Sequence, residues 1–132
     1  MQTLLPKGWP RPSGYSNGIV ADGNMVFLAG QIGWDKDNKF KSTNIADQFE
    51  QVLLNTIAIL NEAGADPSNI VRMTWFITSK KQYKNELSKI GGIYRMLMGK
   101  HYPAMSVVEV TSLMEDDAVI EIETTAIIPR AN

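Results

Sequence analysis

Hydrophobic positions along this chain follow two periods. From Ala118 the period is two. Ala118, Ile120, Ile122, Ala126 and Ile128 share one face, and Val119, Glu121, Glu123 and Thr125 share the other, because side chains of a strand point alternately to its two sides. Met105 to Val110 reads as the strand before it, and the acidic stretch Met114-Glu115-Asp116-Asp117 as the loop joining the two into a hairpin. Ile70 to Thr78 is a further strand, with Val71, Met73, Trp75 and Ile77 on one face and Ile70, Thr74 and Phe76 on the other. Both of its faces are largely apolar, so both should be covered. Gly18 to Ala21 and Met25 to Ala29 read as short strands joined through Asp22-Gly23-Asn24, where glycine supplies the positive φ of a tight hairpin.

Elsewhere the period is that of a helix. Ile45, Phe49, Val52, Leu53, Ile57 and Leu60 predict a helix that starts near a cap in Ser42 to Asn44 and stops at Ala63-Gly64, ahead of Pro67. Tyr83, Leu87, Ile90, Tyr94 and Leu97 predict a second, from about Gln82 to Met98. Gly91-Gly92 weakens its middle by roughly 1 kcal/mol per glycine relative to alanine, which marks a kink or a close approach of another backbone. Residues 6–14 hold three prolines and two glycines and form an irregular lead-in. Residues 34–41 read as a polar loop. The order ββ-α-β-α-ββ predicts an α+β domain spanning 1–132, an about six-stranded mixed sheet with two helices on one face. Two helices leave the other face of the sheet bare, and a second copy of the chain is the simplest cover for it.

Composition narrows the chemistry. Hydrophobic residues make up 44% and charged residues 20%, the balance of an ordinary water-soluble globular chain. With no cysteine and one histidine, His101, disulfides, thiolate sites and a multi-histidine metal site within one chain are excluded. A net charge of -1 provides no footprint for nucleic acid or an anionic membrane. The first residues lack the apolar core of a signal peptide, and no run is long enough to span a bilayer, so cytoplasm is the expected compartment. Nucleotide-binding, metalloprotease and nucleophile-elbow motifs are all missing from the sequence. Two features could form a site. Glu121 and Glu123 project from one side of a β-forming segment, and Gly30 and Gly33 flank Gln31 where backbone amides could approach a ligand. The plainer readings of the same residues are a solvated strand face for the glutamates and an ordinary turn for the glycines.

Tyr102-Pro103-Ala104-Met105-Ser106-Val107-Val108-Glu109-Val110, followed by Val119-Ile120-Glu121-Ile122-Glu123, resembles the C-terminal signature of the RidA (YjgF-type) reactive-intermediate deaminase family. Ser13-Gly14-Tyr15 and Ala29-Gly30-Gln31-Ile32 resemble that family's Gly-Pro-Tyr and Ser-Gly-Gln-Ile segments. The resemblance implies a chorismate-mutase-like subunit in a homotrimer, with small-molecule clefts between adjacent subunits and no cofactor. It implies hydrolysis of imines and enamines to carbonyl compounds and ammonia, Glu121 handling water, Tyr15 lining the cleft, and Gly30 and Gln31 forming its backbone edge. Met105 stands where the active branch has an arginine, and Val107 where that branch often has cysteine. Methionine cannot pair with a carboxylate, so small substrates such as 2-aminoacrylate are expected to be poor. Two readings stay open: a deaminase with a shifted range, such as aminomuconate-like compounds, and a trimer that binds small metabolites without turnover. An endoribonuclease role, an older label in the family, ranks last for want of a basic groove.

Overall fold

A computed structural model of the chain describes residues 1–130. Six strands and three helices form, as β1 (Gln2–Leu4), β2 (Gly18–Val20), β3 (Asn24–Ile32), α1 (Ile45–Glu62), β4 (Ile70–Ile77), α2 (Lys80–Asn85), α3 (Leu87–Met98), β5 (Ala104–Glu109) and β6 (Ile120–Ile128). The α+β class is as expected, while the pairing of strands differs in two places. Four strands make the main sheet in the order β3-β6-β4-β5, and β1 and β2 make a separate antiparallel ribbon.

The two expected hairpins are both absent. β2 spends its pairing on β1, with Gln2 opposite Val20, and β3 pairs with β6 from Asn24 opposite Ile128 onward. Gly23 has φ 149°, far from the left-handed value of about +57° that the two-residue turn needs. At the other end, β5 lies parallel to β4, with Met73 opposite Met105 and Trp75 opposite Val107. A strand that follows a helical crossover from its neighbour is placed for parallel pairing. β6 then lies on the other side of β4, antiparallel to it, so β4 stands between the two strands read as a hairpin.

Side-chain alternation holds where it was clearest. Ile120, Ile122, Thr124 and Ala126 of β6 are buried under the helices, and Glu121, Glu123 and Thr125 lie on the far face. In β4 the buried set is Met73, Trp75 and Ile77, with Arg72, Thr74 and Phe76 between them. A register shift between Ile70 and Arg72 lets Ile70 join the core as well. The far face is not covered within the chain. Phe27 on it is 71% exposed, Met25 58% and Val108 41%.

α1 starts where its cap predicts. The Asn44 side chain accepts from the Ala46 and Asp47 N–H groups, and Ile45, Phe49, Val52, Leu53 and Leu60 fill the core. One polar residue is buried with them. Gln48 donates to the Ser42 and Asp117 carbonyls and accepts from the Val119 N–H, tying α1 to the start of β6. Gly33 lets the helix in: a Cβ there would stand 2.6 Å from the Gln48 Cβ. Its role is helix packing, not a ligand edge. The second helix is broken, but not at the glycines. α2 ends at Asn85 and α3 begins at Leu87, and the Glu86 carboxylate between them accepts from the Asn44 side-chain amide at 2.8 Å.

Candidate functional site

A cavity of about 520 Å³ opens between α3 and β5, on the helix side of the sheet. That is within the usual range for small-molecule sites. The parallel register places its β5 wall. Met105 and Val107 lie beside Met73 and Trp75, whose side chains face the helices, so alternation turns Met105 and Val107 the same way. The lead-in supplies another wall. The Ser16 N–H donates to the Pro103 carbonyl at 3.0 Å, the Ser16 hydroxyl donates to the Tyr102 carbonyl, and Ser16 bridges Ala104 in parallel. This strap sets Tyr15 into the cavity, where it keeps 43% of its surface exposed.

Aromatic rings make up much of the lining. Tyr94 and Tyr102 stack at 5.2 Å and 8°, and Trp75 meets Tyr94 at 6.4 Å and Tyr83 edge-on at 6.4 Å. Burial raises the Tyr94 phenol well above its usual range, with the neighbouring Tyr102 adding to the effect, and burial raises Tyr83 too. Both stay protonated near neutral pH. The Tyr94 hydroxyl is already committed to the His101 carbonyl. His101 itself is pinned, its Nε2 2.6 Å from the Ile70 carbonyl, which can only accept, so the ring is a structural tie. A basic residue could stand in for the missing arginine, and of His101, Lys100, Arg95 and Arg72, Arg95 alone lines this cavity.

Of the other three candidates, Glu121 lies on the far face of the sheet, with Gly30 and Gln31 beside it on β3. A bulge interrupts the β3–β6 ladder between Leu28 and Gln31, after which Ile32 lies opposite Glu121. Gly30 sits in that bulge, and a Cβ on it would fall 2.2 Å from Glu121 Oε2. The missing side chain is therefore the space that holds the carboxylate. Glu121 is half-buried and, among the described residues, has no ionic partner within 4.0 Å. The Gln31 amide folds back on the Ala29 carbonyl at 3.1 Å. Tyr15, Met105 and Val107 are thus gathered at β5, and Gly30, Gln31 and Glu121 at β3–β6. Pairing of β5 with β6 would have put Met105 and Glu121 on one side, and the intervening β4 prevents it. Within one chain they occupy opposite faces.

Sequence reasoning assigned no cleft residue to the α2–α3 wall, which supplies Tyr83, Gly91 and Arg95. The glycine pair was the available signal, because no turn or positive φ requires Gly91.

Comparison with known proteins follows the fold closely. The family model described as endoribonuclease L-PSP matches residues 10–128. A RutC family protein of Pyrococcus horikoshii is 35% identical over 127 residues, covering 95% of this chain and 96% of that protein. A human protein named 2-iminobutanoate/2-iminopropanoate deaminase is 30% identical over 114 residues, covering 86% of this chain and 79% of its own. Among solved structures, a Yersinia pestis protein of unknown function in the conserved Rid family superposes with a TM-score of 0.83 at 27% identity, over 96% of this chain and 98% of that one.

Proposed function

The chain belongs to the endoribonuclease L-PSP family, which includes the RidA/YjgF proteins, and from that premise we propose that it is a hydrolytic deaminase of small imine and enamine compounds with an altered substrate range. The observation that carries this reading is the half-buried Glu121 carboxylate, seated in the space left by Gly30. Tyr15, Met105 and Val107, the residues proposed to share a site with it, lie across the sheet. In a homotrimer, the β3–β6 face of one subunit would close the β5 cavity of the next, and the site would lie between them.

The reaction asks little of the protein. An enamine first gains a proton on carbon and becomes an imine, which is electrophilic once protonated on nitrogen. Glu121 takes a proton from water as the oxygen adds to the imine carbon. The carboxyl group then returns that proton to nitrogen, the adduct's hydroxyl proton passes to the freed carboxylate as the C–N bond breaks, and ammonia leaves with a carbonyl compound behind it. Gly30 and Gln31 supply backbone groups at the edge of the cleft, and Tyr15 closes its side. Met105 removes the usual carboxylate clamp, which shifts the range toward larger compounds of the aminomuconate type. The same residue favours the second reading, a trimer that binds small metabolites without turnover.

Imines generated in place by an amino-acid oxidase, with ammonia release followed, test the proposal. Glu121→Gln should lower turnover by about 10²–10⁴-fold, the usual worth of a general acid–base group, with the oligomer unchanged in light scattering. Full turnover in that variant would overturn the role of Glu121. Saturable ligand binding without turnover of any imine would leave the second reading standing.

A further inference from the structure

We propose that Arg95 is the anion-binding residue of the β5 cavity, and that the cavity takes a flat, conjugated carboxylate. The inference deepens the reading above by naming the ligand class, and it relies on that reading only for the choice of cavity.

Three observations converge on Arg95. It is the one charged side chain among the described residues lining the cavity, which holds no carboxylate. No Asp or Glu occurs in α3, and its positions one turn away on either side are Gly91 and Gly99, so the helix offers it no partner. Among the described residues no acidic group lies within 4.0 Å of its guanidinium. Arg95 is exposed, and its place in the cavity lining is what separates it from other solvated arginines.

Gly91 supplies the placement. Arg95 follows it by one helical turn, and a methyl group on Gly91 would stand 3.3 Å from Arg95 Nη1. The guanidinium therefore lies over the bare patch that the glycine leaves in the cavity wall. Glycine inside a helix is unfavourable relative to alanine, and here it keeps that wall low enough for the charge to lean over the opening. A planar guanidinium presents paired donors that match a carboxylate.

The remaining walls select the body of the ligand. Tyr94 and Tyr102 form a nearly parallel stack and Trp75 continues it, an aromatic wall beside the charge. Met105 and Val107 oppose it without polar groups. A short aliphatic acid would fill little of about 520 Å³, whereas a conjugated chain or ring carrying one carboxylate would lie against the rings.

Calorimetric titration of the full chain with sorbate, its amide and acetate tests this without reference to turnover. Wild type should prefer sorbate to sorbamide by about tenfold or more, the usual worth of a hydrogen-bonded charge, and should bind acetate more weakly than sorbate. Arg95→Gln should erase the preference while binding the amide as wild type does. A preference kept in Arg95→Gln, or no binding of sorbate by wild type, would overturn the assignment. Acetate binding as tightly as sorbate would overturn the flat-body selection. Inactivity on every imine, with these affinities intact, would count against the deaminase and not against Arg95.

Discussion

At the scale of single residues, the proposed site turns on Met105, which lines the β5 cavity. Its side chain enters the β5 cavity where an arginine would have offered a paired donor. A small imine such as 2-aminoacrylate, with little body to hold against the aromatic wall, should lose about 2–5 kcal/mol of binding in the transition state, the penalty for truncating one partner of a buried charge pair. Turnover of 2-aminoacrylate in a coupled assay, compared with an arginine-bearing relative, measures it. Comparable rates would mean that Met105 is not the decisive difference. Tyr15, Met105 and Val107 were legible as neighbours because the signature segments fix their place on strand and lead-in. Arg95 was not, because a long charged side chain on a helix usually lies in water, and only the space above Gly91 distinguishes it.

Among the secondary elements, periodicity located α1, β4 and β6 to within a residue or two, since each buries one clear face. Pairing was less legible. Hairpin signals such as Asp22-Gly23 describe a turn's freedom, not which strand competes for the edge beside it, and β1 took β2 while β6 took β3. The acidic loop before β6 likewise gave no sign that the chain crosses β4. What holds that crossing in place is Gln48. Replacing it with leucine would strand the Ser42 and Asp117 carbonyls and the Val119 N–H. The expected loss is about 2–4 kcal/mol in urea denaturation, with activity falling only as far as folding does. A loss well below that would mean that water replaces all three bonds.

For the whole molecule, the far face of the sheet carries Phe27, Met25 and Val108 in the open beside Arg72 and Glu123. The sequence anticipated an uncovered face from the two-sided apolarity of β4, although the exposed rings and chains sit mainly on its neighbours. A trimer that covers this face should scatter light as three times 14.7 kDa at micromolar concentration, and a clean monomer would remove the shared cleft with it. The place of β6 in the sheet has one more consequence, for the order in which the protein can be made. β3 has no partner in the main sheet except β6, which closes at Ile128, opposite Asn24. A chain still on the ribosome can form α1 and the β4–β5 crossover, but it cannot close its sheet until Ile128 has emerged. Pairing across so long a sequence separation slows folding, and loss of β6 would remove a central strand and leave β3 without a partner in the main sheet.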